Sequence, residues 1–350
     1  MHFYESSIIT TKDGLHCQVY ANEHPTDSIL VKPKYIPTDK IESAALQYRF
    51  IAGKKMNRLD MWAEKEQLKK YIDDFKQKYP QYVYNSTSHE SNRLIFSVPI
   101  DNIERVYFPR TGLKELMGMP TAALDEHLKT VHEFIQFLMK SGITLHDMGI
   151  TYSTLMGHYL SKVSDINIVI YSKEKFWKLM EYLKTAEHTL LRWKTMDEWL
   201  DFYKKRNRHA ISQELFLKSV QRKRSEGFFN DTLFVIFAVE REEEVVSKWG
   251  SEQYIDKGIA IVEGVVTSDL HSVTRPGYYE IKDATIPEVK KIVFHSRDYC
   301  MLAQPGEKIQ ACGILEEVIP KNSEPYHRVV VGYLDAYTTE RREKEFIRLA

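Results

Sequence analysis

The sequence predicts an α+β fold of three domains: an N-terminal α+β domain over residues 1–115, a mixed-sheet domain over 116–250, and a small β-barrel with a terminal helix over 251–350. The chain has 350 residues, more than a single hydrophobic core usually organises. Its 43% hydrophobic and 28% charged residues are ordinary for a globular protein. Apolar residues recur at helical spacing in some segments and form short β-rich runs in others, which indicates helices and strands arranged in blocks.

One amphipathic helix among short strand-like runs marks the N-terminal domain. The helix is predicted over Leu59–Lys78, where Leu68, Ile72 and Phe75 recur at helical spacing and Pro80 ends it. This combination favours a small α+β domain.

Helices alternate with buried strands in the central domain. A helix is predicted over residues 121–141, with Thr121 as the candidate N-cap and Gly142 as the stop. Continuous apolar runs of β-forming residues indicate buried strands. Beyond the first helix the pattern predicts strands at Met148–Thr151, Ile166–Tyr171 and Thr232–Val239, a helix at Lys173–Leu183, and two basic helical segments at 196–206 and 212–224.

From about residue 253 the pattern changes to short runs of β-forming residues separated by Gly, Pro and Asn turns. Five such strands indicate a small barrel, for which an OB-like arrangement is one option. The last segment, Thr338–Leu349, is charged with a weak apolar face, and we expect a docked terminal helix there. The five runs are Ile259–Val266, Tyr278–Ile281, Lys291–Phe294, Ile309–Leu315 and His327–Tyr333.

Charge and cysteine usage limit the classes of protein that fit this chain. The formal net charge is zero, so binding to nucleic acid or to a membrane surface would depend on a local patch. The N-terminus has no signal-peptide pattern, and no stretch of about 18 apolar residues occurs. Cys17, Cys300 and Cys312 are dispersed, without disulfide or zinc-site spacing. We therefore expect a cytoplasmic protein with reduced thiols and no membrane partner.

The residues that point to chemistry lie in two neighbouring segments, Gly149–Gly157 and Ser164–Tyr171. Ser153 follows a predicted strand, and about a dozen positions later Asp165 leads into the next one. Residues at i and i+2 of a strand face the same side, so Asp165 and Asn167 should point together at one spot. Because hydroxyl and backbone N–H groups hold phosphates and Mg²⁺ prefers oxygen ligands, this pattern is typical of metal-assisted phosphoryl transfer.

These segments resemble the polymerase-beta-type nucleotidyltransferase superfamily. That superfamily carries Gly-Ser, a spacer of about ten residues, an Asp-x-Asp motif entering a strand, and a third carboxylate on a later strand. The whole chain also resembles a family of archaeal predicted nucleotidyltransferases. The segments that carry this second resemblance include Thr11–Leu15, Lys34–Pro37, Ile103–Tyr107, Gly149–Tyr171, Phe294–Cys300 and Gly306–Gly313.

The resemblance implies a nucleotidyltransferase-like mixed-sheet domain that uses Mg²⁺ or Mn²⁺ to transfer a nucleotidyl group from a nucleoside triphosphate to an acceptor. Carried over residue by residue, Asp165 and Asp231 would be the catalytic carboxylates, and Asn167 would be the remaining metal ligand. Ser153 and Gly157 would hold phosphate. An aspartate that caps a turn is the structural alternative for Asp165, and a plain turn before a strand is the alternative for Asp231.

Two residues depart from the superfamily motif. Tyr152 replaces the motif glycine, whose missing side chain lets the backbone approach a phosphate. Asn167 replaces an aspartate, so the site loses one formal negative charge. The sequence therefore leaves two functional hypotheses: a Mg²⁺-dependent nucleotidyltransferase, or a degenerate non-catalytic protein that binds nucleotides or nucleic acid. A purely structural protein is a third reading.

Basic residues cluster at 204–208 and 222–224. A solvated helix face is the ordinary explanation, but Lys204 and Arg222 are also candidates for binding phosphates or an RNA or DNA acceptor. No Walker A, G-x-G-x-x-G, G-x-S-x-G or H-E-x-x-H motif occurs, which argues against P-loop ATPases, dehydrogenases, α/β-hydrolases and zincins.

Overall fold

The computed structural model describes residues 2–38, 46–51, 54–61, 63–84, 93, 96–205 and 211–350. Within them the protein is a mixed α+β structure built on three sheets of seven, five and six strands. The predicted α+β class is therefore confirmed. None of the described helices combines the length and the apolar character that a membrane span would need.

The N-terminal sheet holds seven strands in the order β4-β5-β3-β2-β1-β7, with β6 paired to β3. Helix α1 packs on it through Leu68, Tyr71, Ile72 and Phe75, which are all buried. The elements are β1 Ile8–Thr11, β2 His16–Val19, β3 Ser28–Pro37, β4 Leu46–Ile51, β5 Lys54–Leu59, α1 Lys65–Lys78, β6 Ser97–Pro99 and β7 Ile103–Tyr107. The predicted helix was wrong at its start, because Leu59 belongs to strand β5.

The central sheet has the order β10-β11-β12-β9-β8, in which β9 and β12 run parallel and the other neighbours are antiparallel. The predicted strands at 166–171 and 232–239 are confirmed. The elements are α2 Pro109–Met117, α3 Glu126–Met139, β8 Met148–Ile150, α4 Tyr152–Met156, β9 Ile166–Tyr171, α5 Lys173–Thr185, β10 Leu191–Trp193, α6 Met196–Lys205, α7 Gln213–Val220, β11 Glu226–Phe229 and β12 Thr232–Val239.

The N-cap of α3 is Asp125 rather than Thr121. The Asp125 carboxylate accepts a hydrogen bond from the backbone N–H of Leu128 at 2.8 Å, which satisfies one of the helix's free donors. Thr121 begins a separate 3₁₀ turn, so the predicted helix started too early.

The C-terminal sheet has the order β13-β14-β15-β17-β16-β18, and β13 also pairs with β16. The pairings that lead from β13 through β14, β15, β17 and β16 therefore return to β13. The elements are β13 Glu252–Ser268, β14 Gly277–Lys282, β15 Val289–Phe294, β16 Lys308–Pro320, β17 Tyr326–Val331, α8 Arg341–Lys344 and β18 Phe346–Leu349. The expected terminal helix is wrong over most of its length, because residues 346–349 alternate in burial and pair with β16 as a strand.

The hydrophobic cores do not stop at the expected domain boundaries. Helices α6 and α7 pack with the C-terminal sheet, since Trp199 and Phe216 share a core with Val262. In the same way Val330 and Tyr333 lie in the core of the N-terminal sheet. Packing therefore ties the three sheets to one another.

A buried ion cluster forms a further tie between the sheets. Glu5 is 1% exposed, and its two carboxylate oxygens accept hydrogen bonds from Arg275 and Arg297. Arg297 also lies 3.5 Å from the ring centroid of Phe237 in β12. One carboxylate from the N-terminal segment thus holds two C-terminal guanidinium groups, one of which covers the central sheet.

We predict that Glu5→Gln destabilises the protein by about 3–5 kcal/mol, because removing one member of a buried charge cluster leaves the others uncompensated. Urea unfolding monitored by circular dichroism would measure the change. The exposed substitution Glu104→Gln on β7 is the matched control. Equal unfolding midpoints for the two variants would contradict a structural role for the Glu5 cluster.

Candidate functional site

Asp165 and Asn167 lie at the entry to β9, on the face of the central sheet that turns away from helices α3 and α5. We call this the distal face and define it by Asn167, Val169 and Tyr171 of β9 with Val235, Phe237 and Val239 of β12. Ile166, Ile168 and Ile170 point the other way, into the core that includes α3 and α5, whereas the apolar residues of the distal face form their own cluster. Strand alternation places Asp165 on the same side as Asn167.

The Asp165 and Asn167 side chains are available for a ligand. Asn167 is 5% exposed and Asp165 is half-buried. Within the described part of the chain, neither side chain has a hydrogen-bond or ion-pair partner. Since buried polar groups are normally satisfied by protein, water or ligand, this pair is a candidate for contact with a ligand.

Asp231 lies in the hairpin that precedes β12. Ile166 pairs with Phe234 and Asn167 with Val235 across the parallel strands, so one further step toward the start of both strands sets Leu233 level with Asp165. Asp231 lies two residues before Leu233, about 7 Å along the strand from the level of Asp165. It is exposed in the β11–β12 hairpin, where Asn230 and Asp231 have φ values of 47° and 56°, as a two-residue turn of type I′ requires.

The two carboxylates, Asp165 and Asp231, have different electrostatic neighbours. Asp231 acts on Arg192, whose pKa is raised chiefly by its hydrogen bond to Glu198. Asp165 acts instead on Lys34 and His127. No group of three or more His, Cys, Asp or Glu residues suited to a metal ion occurs among the residues that the structure describes.

Helix α4 carries the motif serine and follows β8 directly. Tyr152, its first residue, has φ of 56°, in the left-handed region that disfavours a residue with a Cβ by roughly 1–2 kcal/mol. The superfamily motif that the sequence resembles has glycine at this position, and Tyr152 holds a backbone conformation that suits glycine. Ser153 comes next and is half-buried.

Gly157 ends helix α4 in a left-handed conformation, with φ of 70°. A Cβ placed there would meet no atom within 4 Å. The glycine is therefore explained by its backbone conformation as a helix C-cap, and the space beside it is open.

Two hydrogen bonds fix the start of α4 against the distal face. The N–H of Thr151 donates to the carbonyl oxygen of Asn167 at 3.1 Å, and the Thr151 hydroxyl donates to the carbonyl oxygen of Ser6 at 2.6 Å. Tyr152 and Ser153 are thereby held beside the polar end of β9.

His127 supports the same turn from helix α3. Its Nε2 lies 3.0 Å from the Thr154 hydroxyl, and its ring stacks on Tyr159 at 4.5 Å. Burial lowers the pKa of His127, while Asp125 and Asp165 act to raise it. A neutral imidazole therefore positions α4 behind Asp165.

Sequence reasoning missed Lys34, which the fold brings to this site from β3. Its Nζ lies 3.5 Å from the ring centroid of Tyr152. Burial lowers its pKa well below the usual range, Arg58 lowers it further, and Asp165 raises it. Lys34 opens a segment that resembles the archaeal family, but nothing in that segment indicates chemistry without the three-dimensional structure.

The described residues of the two basic clusters lie on or just after helices α6 and α7, which pack with the C-terminal sheet. Arg222 donates to both carboxylate oxygens of Glu307, at 3.1 and 2.8 Å, and to the carbonyl oxygen of Leu302. This bidentate pair engages the guanidinium within the protein, and the phosphate-binding role of Arg222 stays a prediction. Lys204 is exposed near the end of α6, and residues 206–208 of its cluster lie outside the described residues.

Comparison with known proteins identifies one full-length relative. The chain is 29% identical over 348 residues to an uncharacterized protein of Methanocaldococcus jannaschii, and the match covers 97% of each chain. No family model matches the sequence, and no solved structure matches it. The likeness extends over all three sheets and carries no stated activity.

The residues of the distal face do not fit a two-metal centre. They offer the Asp165 carboxylate and the Asn167 amide, whereas Leu233 and Val235 fill the adjacent positions on β12. Lys34 adds positive charge at the same place. Mg²⁺ favours carboxylate oxygens, so this donor set is suited to one weakly held cation at most.

We predict that Asn167→Asp strengthens Mn²⁺ binding, because it returns a negative oxygen ligand beside Asp165. Without metal the two carboxylates repel each other, so the variant should melt at a lower temperature in chelator and recover when Mg²⁺ or Mn²⁺ is added. Thermal melts with and without metal measure this. Asn322→Asp, at an exposed loop position, is the control, and equal metal dependence in the two variants would show that residue 167 lines no cation site.

Proposed function

We propose that this protein binds a nucleoside triphosphate through its phosphates at the polar end of the distal face, and that it transfers nucleotidyl groups slowly or not at all. The observation that carries the proposal is the pairing of Asn167 with Val235. Asn167 stands where the resembled motif has its second aspartate and its neighbour Val235 is apolar, so of these three residues only Asp165 carries a charge.

The local architecture supports the nucleotide part of the proposal. Strand β8, helix α4 and strand β9 follow one another as the resembled motif expects, and β12 runs parallel to β9 on its other side. Ser153 and the left-handed Tyr152 occupy the motif positions between β8 and β9. The side chains of Asp165 and Asn167, which have no partner within the described part of the chain, face the same side.

The charge balance supports the non-catalytic part. Two-metal transfer requires cations that clamp the attacking and leaving oxygens. Replacing a charged ligand by asparagine weakens a charge-assisted contact, which is typically about twice as strong as a neutral one. With Asn167 in place of the second aspartate of the motif, binding should survive better than the rate of transfer.

The partner proposed for this site is a free nucleotide rather than RNA or DNA. Of the basic side chains considered for a nucleic-acid acceptor, Arg222 is paired with Glu307 and Lys223 donates to the carbonyl oxygen of Asp298 at 3.2 Å. Because the charge of Arg222 is neutralised by Glu307 and Lys223 is only 7% exposed, neither contributes much to the counterion release that drives nucleic-acid binding. Cys17, Cys300 and Cys312 are free and buried, which suits the proposed cytoplasmic location.

We predict that the wild type binds at least one nucleoside triphosphate in the presence of Mg²⁺, and that Asp165→Ala removes the Mg²⁺ dependence of that binding. Equilibrium dialysis with each labelled triphosphate measures the affinity, and pyrophosphate release is followed in the same samples. The exposed Asp73→Ala on α1 is the control.

Two results would overturn the proposal. The absence of binding for every triphosphate would rule out a nucleotide site. Rapid release of pyrophosphate by the wild type over many turnovers, abolished by Asp165→Ala, would show that the site is an efficient catalytic one.

A further inference from the structure

We propose that the ammonium group of Lys34 takes the place of a divalent cation at this site, so that a phosphate chain binds there without metal. This inference rests on the proposed function and deepens it: the N-terminal domain completes the site of the central sheet. Three observations carry it.

The first is a β-bulge at Lys34. Tyr35 pairs with His16 and Pro33 pairs with Cys17, so Lys34 is an extra residue in β3 opposite β2. In a regular strand, consecutive side chains point to opposite faces. Bulges break that alternation and redirect a side chain, often beside functional sites.

The contacts show where the bulge directs Lys34. Tyr35 reaches His158, the second residue after helix α4, with its hydroxyl 3.2 Å from Nε2. Lys34, its neighbour in sequence, lies over the ring of Tyr152 at the start of α4. Two consecutive side chains of β3 therefore meet the same short segment, and the lysine reaches Tyr152, the residue before the motif serine, rather than the opposite face.

The second observation is the state of the Lys34 charge. Lys34 is half-buried, and within the described residues it forms no hydrogen bond or ion pair. Its contact is the face of an aromatic ring, which stabilises a cation without neutralising it. Burying a charge in this way is costly unless a counter-charge joins it.

The third observation is the sign of the surrounding field. Arg58, Lys32 and Arg275 all act on Lys34 as like charges, and Asp165 opposes them. Arg275 shares its counter-charge, the Glu5 carboxylate, with Arg297. Among the described groups that act on Lys34, positive charge thus exceeds negative charge, which favours an anion.

These observations select the ligand chemistry. A phosphate chain carries several negative oxygens and would lie between Lys34 and the Ser153 turn. An opposite charge favours the protonated form of an amine, so a bound phosphate also reverses the lowering of the Lys34 pKa caused by burial. A free nucleotide and inorganic triphosphate share this chemistry.

The test is binding of ATP and of inorganic triphosphate to the full chain in excess EDTA, measured by isothermal titration calorimetry. We expect the wild type to bind ATP in EDTA. Lys34→Met should weaken the affinity for ATP about 10- to 100-fold, the range for losing a hydrogen bond to a charged group. Lys34→Arg should restore most of the affinity. Lys69→Met, exposed on α1, should match the wild type.

Thermal melts of Lys34→Met and Lys34→Arg establish that both variants fold, and the arginine variant keeps the test valid if the methionine variant does not. Comparable binding of inorganic triphosphate would assign the affinity to the phosphate chain, and stronger binding of ATP would add a contact to the nucleoside. Either result supports Lys34 as the counter-charge, provided that Lys34→Met weakens the binding that was measured.

The inference fails, and the proposed function stands, if ATP binds only when Mg²⁺ is present and Lys34→Met leaves that affinity unchanged. Both fail if ATP binds under neither condition.

Discussion

Glu5 holds two arginines, and the arrangement of the three sheets around the distal face depends on that contact. A buried carboxylate is stable only when its charge is balanced and its oxygens are hydrogen-bonded, and here Arg275 and Arg297 do both. Arg297 also covers Phe237 of β12 and donates to the Ser6 hydroxyl at 3.0 Å. The N-terminal segment, the central sheet and the C-terminal sheet therefore meet at a single side chain.

This contact divides the distal face into two ends with different chemistry. Arg297 over Phe237 and Arg110 over Tyr171, at 3.5 and 4.2 Å from the ring centroids, cover the apolar end. The polar end keeps Asp165 and Asn167 without protein partners among the described residues, and strand β3 brings Lys34 to it. Because the cluster holds one carboxylate and two guanidinium groups, the environment of the polar end is positive. An anionic ligand is the chemistry that such a surface favours.

The sequence predicted the strands that depend on local pattern and missed the features that depend on distant contacts. Strands β9 and β12 were predicted with their observed bounds, because continuous apolar β-forming runs are unambiguous at that length. The facing of Asp165 and Asn167 follows from strand alternation alone. The turn at Asp231 was foreseen as the alternative to a metal ligand, because Asn-Asp before a strand is a turn signal. The ion pair of Arg222 could not be foreseen, since its partner Glu307 is 85 residues away. Lys34 was hidden for the same reason: only the β-bulge and the docking of β3 on α4 make it part of the site.

The central claim is that a protein cation replaces metal ions at the motif of the central sheet. The most direct test is a crystal structure of the chain with a non-hydrolysable nucleoside triphosphate and Mn²⁺, with anomalous scattering recorded at the manganese edge. We predict phosphate oxygens within hydrogen-bond distance of the Lys34 ammonium and no more than one Mn²⁺, at Asp165. Two Mn²⁺ ions about 3.5–4 Å apart, as in two-metal enzymes, bridging Asp165 and Asn167 with Lys34 directed away from the phosphates, would contradict it.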